Sequence, residues 1–413
     1  MRVQPEKHSC EVLVAGGGVA GVAAAVGAAR SGARVLLVER YGFMGGMAAA
    51  ALVSTICGLY PRSGKGNPEP LPGGFAAEVA ARIGADGAAQ PLELSGGLHV
   101  LPCAPWRMVR LADRLVREEK IGVLLHACIS TVVCENTRVV EVRGMAWDRP
   151  VVIRPASVVD CTGEANLAAL AGGETLRAGG QDASVLFRVN GLDAGEKAQR
   201  VALVRRIVRA AEQGVLPESC RNLTFAPGPV DTGSGLLQVP LAAVLGETAT
   251  DLELRGREVI EQVVCFLERE LPPSLRPEFP VQVGIRSGRR AAGRETLSVS
   301  QVLAGGSRPD GVARGCWPVE IWRGGRRPEV RHLPEGAWYE ISAGCLTAAG
   351  LDNVFMAGRC ISADEEALAS ARVIGTALET GFGAGVLAAF QALGRPREAA
   401  ITFVRNQWAG DMG

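Results

Sequence analysis

The stretch between Cys10 and Glu39 restricts the fold of this chain more than any other. Cys10-Glu11-Val12-Leu13-Val14-Ala15 is an apolar run of strand length, and Gly16-Gly17-Gly18-Val19-Ala20-Gly21 follows at once. An alanine-rich stretch of helical character runs to Arg30, Ser31-Gly32 stops it, and Ala33 to Val38 reads as a second buried strand ending at Glu39. Strand, glycine turn, helix, strand and acid in this order form the βαβ unit that binds a dinucleotide. Gly16 permits the tight turn, Gly18 lets the backbone approach a pyrophosphate, and Gly21 lets the helix pack closely on the strands. The helix amino terminus offers unpaired N–H groups and a positive dipole end to phosphate. Glu39, about 20 residues on, can accept hydrogen bonds from ribose hydroxyls. The turn does not decide between NAD and FAD. Arg40-Tyr41-Gly42-Phe43-Met44-Gly45-Gly46-Met47 adds a paired glycine that lets the chain pass close to a bulky extended ligand, although an ordinary turn has the same composition.

Composition narrows the function classes. The chain has 413 residues, two or three domains' worth at roughly 100–200 residues each. Its formal charge of +1 sets up no broad field for phosphate backbones or anionic lipid, which argues against a nucleic-acid binder. The eleven cysteines include no C-x-x-C pair, so zinc ribbons, iron–sulfur runs and redox dithiols lose their usual signature and no metal site is expected. Their odd number, and the lack of a signal peptide before them, fit buried free thiols in a reducing cytoplasm. No apolar run reaches the ~18 residues of a membrane span. The best, Val373 to Leu393, is interrupted by Glu379, Gln391 and glycines.

Downstream, Trp106 to Lys120 reads as an amphipathic helix with a basic outer side. Ile121 to Ile129 reads as one strand carrying His126 within it, followed by a meander through Ile153. Ser157 to Asp160 is another buried strand, with Thr162-Gly163 at the carboxyl end where open α/β sheets hold ligands. The character then changes to strands and helices separated by proline-rich joints. At Asn353 to Arg359 a buried strand ending in glycine returns, followed by one long helix from about Leu368 to Leu393. A helix amino terminus at that place suits the negative charge of a reduced flavin. No second glycine fingerprint follows, so a separate NAD(P)H domain is not expected.

Four blocks resemble the FAD-dependent oxidoreductase family related to the fumarate reductase and heterodisulfide reductase flavoproteins. They are Val14 to Gly46, Val158 to Leu170, Val283 to Leu303 with Val312 to Ile321, and Tyr339 to Leu387. The most specific is Asp352-Asn353-Val354-Phe355-Met356-Ala357-Gly358-Arg359-Cys360-Ile361-Ser362-Ala363. The resemblance implies bound FAD and an α/β fold: a Rossmann-type, glutathione-reductase-like three-layer FAD domain with an inserted α+β substrate domain. The expected divisions are 1–165, 166–334 for the insertion, and 335–413 for the return segment. It implies that Gly16, Gly18, Gly21, Glu39, Arg40, Gly45 and Gly46 hold the adenosine and pyrophosphate half, and that the strand at Ile129 meets adenine. Thr162 and Gly163 would approach the cofactor, and Gly358, Arg359, Arg372 and Val373 would serve the ribityl chain and flavin ring. The chain departs from the family at Glu365 and near Trp322, where relatives often carry histidine.

Flavin dehydrogenation needs the substrate C–H held near flavin N5 and usually a base. Glu365, beside Glu366, is the expected base if burial raises its pKa; a capping acid at a helix start is the plainer reading. Arg286, with Arg289 and Arg290, can anchor a carboxylate or simply pair with Glu295 or another acid. Tyr339 either lines the same pocket or packs. His99 and His332 are placed in loops that can face a pocket. Cys57 and Cys360 could neighbour the flavin, but each is a lone thiol. The expected function is therefore an FAD-dependent oxidoreductase of dehydrogenase or oxidase type, acting on a small organic substrate, with or without a carboxylate, and with the electron acceptor open. An NAD(P)H-using flavin monooxygenase and a non-catalytic flavin-binding scaffold are the alternatives. The composition permits a homodimer without showing one.

Overall fold

In the computed structural model the described residues are 4–64, 68–85, 90–177, 180–192, 197–228, 234–270 and 275–409. The opening unit forms as its sequence predicts: β1 (Glu6–Ala15), α1 (Val19–Arg30) and β2 (Val35–Val38). Alanine favours the helix, and Ala20 to Ala28 are all buried. At its end the Ser31 hydroxyl donates to the Gly27 carbonyl (2.8 Å) and Gly32 takes φ +92°. Arg30 then anchors that end to Glu78 (2.6 Å) and Glu119 (2.7 Å).

After α2 (Pro105–Glu118) come β3 (Gly122–Leu124), β4 (Ala127–Glu135), β5 (Arg138–Ala146) and β6 (Arg149–Asp160). The single strand expected over 121–129 is broken, because His126 adopts φ +52° between β3 and β4. His126 is not a packed strand residue; it is exposed and sets its ring edge-on to Trp147 at 4.6 Å. The main sheet has the order β3-β2-β1-β6-β5-β4, with a late strand, β12 (Val354–Met356), also pairing β6. Strands β3, β2, β1, β6 and β12 are mutually parallel, and β4–β6 form the antiparallel meander. Register aligns Ala15 with Val38 and Asp160, and Asp160 with Met356. The carboxyl ends of four strands therefore open onto one place.

A second core forms around β7 (Ala183–Asn190), β8 (Ser234–Leu241) and β9 (Arg276–Glu278), covered by α3 (Lys197–Glu212) and α4 (Ala249–Glu270). It is the expected α+β insertion, but its core ends near Val283. The segment from Leu297 to Leu333, expected in the insertion, packs into the first core through Leu297, Val302, Val312 and Ile321. The reason is pairing: β10 (Gly311–Gly315) runs antiparallel to β11 (Tyr339–Ser342), which leads back to β12.

The long helix expected over 368–393 is two helices, α5 (Glu365–Ala371) and α6 (Ile374–Ala392), bent by 97°. Val373 is extended (ψ 159°) and Gly375 donates to the Cys57 carbonyl (2.9 Å), which ties the start of α6 to a distant loop. No single helix among the described residues is long and apolar enough to cross a membrane. The bent pair passes that test by length and composition, yet Ile374 to Phe390 are buried inside this domain. The last helix among the described residues is α7 (Arg397–Trp408).

Candidate flavin site

A cavity of about 840 Å³ lies at the carboxyl ends of β1, β2, β6 and β12, with the second core on its other side. That is near the top of the ~300–1,000 Å³ range for small-molecule and cofactor sites. At one end the fingerprint turn crosses the wall. A Cβ on Gly16 would sit 2.5 Å from the Cys161 carbonyl oxygen, and one on Gly21 1.8 Å from the Gly16 oxygen, so both glycines are required by the protein's own packing. Gly18 differs. A Cβ there would meet only the Gly46 Cα at 3.8 Å, and Gly18 lines the cavity. Gly45 donates to the Gly17 carbonyl (2.8 Å), laying the paired glycines against the turn. Glu39 is buried on the same wall; its carboxylate accepts from the N–H groups of Gly17 (2.6 Å) and Tyr41 (2.8 Å). Arg40, Gly46 and Ile129 complete this end.

Midway, the loop after β6 is held from beneath. Asp160 accepts from the Thr162 N–H (3.0 Å) and hydroxyl (2.7 Å), and from the Ala168 N–H (2.9 Å). The Cys360 sulfur accepts from the N–H groups of Gly163 (3.1 Å) and Ala165 (3.3 Å). Burial pushes the Cys360 thiol far up and the Cys57 thiol up to about 12, so neither is a thiolate. Thr162, Gly163, Gly358 and Arg359 face the cavity. Arg359 pairs with Glu164 (3.2 Å) and also donates to the Ile285 carbonyl.

The far end is cationic. Arg286 and Arg372 both line the cavity, and burial pulls both guanidinium groups below their ordinary value. Arg286 donates to the Asp182 carbonyl (2.9 Å) and lies 4.2 Å over the Trp322 ring. Arg372 donates to the Glu320 carbonyl (3.2 Å) and, at 3.5 Å, to Gln181 Oε1. Its Nε and the Gln181 Nε2 are buried with no partner. The Glu320 carboxylate accepts from the indole N–H groups of Trp317 (2.9 Å) and Trp322 (2.8 Å). The start of α6 carries no side-chain cap, and its Ile374 and Ala377 face the cavity.

A family profile described as FAD dependent oxidoreductase matches residues 11–395. The chain belongs to this family. Among solved structures, BexE, studied for oxidation during BE-7585A biosynthesis, superposes with a TM-score of 0.50 at 13% identity, over 97% of this chain and 66% of that one. A geranylgeranyl bacteriochlorophyll reductase-like protein from Thermoplasma acidophilum gives 0.47 at 12% identity, over 97% and 83%. The flavin-dependent brominase Bmp2 gives 0.47 at 13%, over 97% and 84%. At such identities the likeness is one of fold. No curated protein matches in sequence.

The protein is thus an FAD-dependent enzyme with a Rossmann-type α/β fold, and its cavity fits the cofactor. Gly18 leaves open space where a pyrophosphate must approach, and unpartnered buried donors wait at the opposite end. Three residues expected at the cofactor stand behind the wall instead. Gly21 packs α1 on the turn, Gly45 backs the fingerprint, and Val373 packs with Cys57 and Trp317.

The expected base and Tyr339 need larger corrections. Glu365 is not on the cavity wall; as the first residue of α5 it pairs with Arg323 at 3.1 Å, while Asp364 caps that helix and Glu366 pairs with Arg331 at 2.5 Å. Tyr339 is wholly buried, its hydroxyl 2.8 Å from that of Ser370, so it packs in the core. Arg289 is spent on the Glu164 carbonyl and Asn166 rather than on Glu295. His99 is buried in a strand, and His332 is exposed. Sequence reasoning missed Gln181 and Gln282 on the wall; neither lies in a motif that marks it.

Proposed function

We propose that this enzyme is a dehydrogenase or oxidase of a small organic carboxylate, with the relation to fumarate reductase and heterodisulfide reductase flavoproteins as part of that reading. The observation that carries it is the pair Arg286 and Arg372. Two half-buried cations face one cavity, and neither makes a hydrogen bond to a carboxylate among the described residues. The Glu320 carboxylate acts on both guanidinium groups without bonding to either, being hydrogen-bonded to two indole N–H groups, and a bound carboxylate adds the direct pairing that both lack. Arg286 is restrained by its place over the Trp322 ring and its bond to the Asp182 carbonyl, and a guanidinium suits two-point recognition of a planar anion. FAD supplies the acceptor at N5 for the hydride leaving the substrate carbon. The chain's part would be to hold the carboxylate and so orient the substrate; the C–H hydrogen would leave as hydride, and the accompanying proton, from the substrate's hydroxyl, amine or adjacent carbon, would pass to solvent.

The test is anaerobic. A panel of small hydroxy, amino and saturated acids should include one that bleaches the flavin without NAD(P)H. Arg286→Met should keep its FAD yet raise the acid concentration for half-maximal bleaching by about 10–100-fold, the loss expected for a hydrogen bond to a charged group. An unchanged concentration dependence removes Arg286 from substrate binding. A second reading is an NAD(P)H-using monooxygenase; BexE, which shares the fold, is studied for oxidation during a biosynthesis. Substrate-stimulated NADPH oxidation with oxygen uptake would favour it, and would displace the first reading if no acid bleaches the flavin.

A further inference from the structure

The adenosine end of the cavity is crossed by a contact between the two cores, and it centres on Gln282. This residue is buried, and its backbone N–H donates to the Ala50 carbonyl (3.0 Å), on the nucleotide-domain side. Its Oε1 accepts from Arg40 Nη2 (2.8 Å) and from the Tyr41 hydroxyl, and its Nε2 lies 3.2 Å from the Met47 sulfur. The neighbouring residues are tied the other way. Val283 donates to Glu253 of α4 (2.8 Å), and Gly284 exchanges backbone hydrogen bonds with Ser184 of β7. Arg40, Tyr41, Met47, Glu253 and Gln282 all line the cavity. Arg40 lies 4.8 Å over the Tyr41 ring, which in turn stacks on Phe43 at 5.3 Å.

We propose that Gln282, with Arg40 and Tyr41, is a latch over the adenosine half of the FAD site that governs passage of the cofactor. Arg40 and Tyr41 directly follow Glu39, the expected ribose acid, so a side chain bridging them to the inserted core lies across the cofactor's way in and out. Both donors converge on one acceptor oxygen, so removing that oxygen releases both at once. Burial pushes the Tyr41 hydroxyl above its ordinary pKa. The latch concerns FAD alone and does not depend on the substrate reading.

Its signature is kinetic. A gate slows passage in both directions, whereas a simple ligand contact slows release only. Full-length Gln282→Leu should release FAD about tenfold faster, since two hydrogen bonds are lost. Its apoprotein should take up FAD faster by a similar factor, with Kd changing far less than either rate. Tyr41→Phe, which removes one donor, should raise both rates about threefold and carries the test if Gln282→Leu does not fold. The readout is flavin fluorescence during release into excess apo-flavoprotein and during uptake, with the apoprotein's melting temperature as the folding control. Wild-type rates in both variants overturn the latch. Faster release with unchanged uptake also overturns it, by making Gln282 an ordinary contact.

Discussion

At the scale of single residues, the fingerprint glycines separate into the two kinds that the motif implies. Gly21 serves the protein and Gly18 serves the ligand, because a Cβ at the first collides with the Gly16 carbonyl while a Cβ at the second meets open space. Gly18→Val should therefore give an apoprotein that melts like the parent yet stays colourless with added FAD. Gly21→Ala should lower the stability of the apoprotein itself by about 1–3 kcal/mol, the usual cost of forced overpacking. Parallel melting curves and flavin titrations check the contrast, and a fully flavinylated Gly18→Val would falsify the assignment of that wall to the pyrophosphate. The glycines were legible because their requirement is local. Glu365 and Tyr339 were not. Which way a loop acid turns depends on Arg323, 42 positions away, and the Tyr339 hydroxyl finds Ser370 only after α5 has packed.

At the scale of elements, the opening strands, the meander and the returning strand at Val354–Met356 could be read from apolar runs, while the strands of 234–241, 311–315 and 339–342 and the close pairing of helices could not. Nothing in Ser370 to Gly375 marks a break by proline, yet α5 and α6 part there because the Cys57–Gly58 loop docks on the new helix start: a Cβ on Gly375 would lie 2.5 Å from the Gly58 oxygen. The glycines of α6 look like helix weaknesses in isolation. In the fold they admit α1: a Cβ on Gly381 would lie 2.2 Å from the Ala20 carbonyl oxygen, and one on Gly385 2.0 Å from that of Ala24. Gly385→Ala improves intrinsic helix propensity and should still destabilise the protein by about 1–3 kcal/mol, because the backbones must separate. The measurement is the urea midpoint. A midpoint that rises would show propensity winning over packing and would remove the close α1–α6 contact.

At the scale of the whole molecule, the return of 297–333 to the first core leaves the insertion smaller than sequence spacing implies, with a core of its own between Ala183 and Val283. Composition could not reveal this, since the pairing of β10 with β11 is non-local and β10 has the apolar character of either core. The cofactor cavity takes walls from both: Gly18 and Glu39 from one side, Leu241 to Ala243, Leu252 and Glu253 from the other. Binding to the native state stabilises whatever must be folded for the site to exist, by about 2.7 kcal/mol at a ligand concentration of 100 Kd. A cofactor held by one core alone protects that core only, because local opening of the other leaves the site intact. A cofactor held between them couples the two. Adding FAD to the apoprotein should therefore slow hydrogen exchange in α1 and also in the first turns of α4, around Leu252 and Glu253, with little change in α3 on the far side of the second core. Protection confined to α1 and its neighbouring strands would mean that the second core only stands beside the cofactor, and the shared cavity would then have no role in holding it.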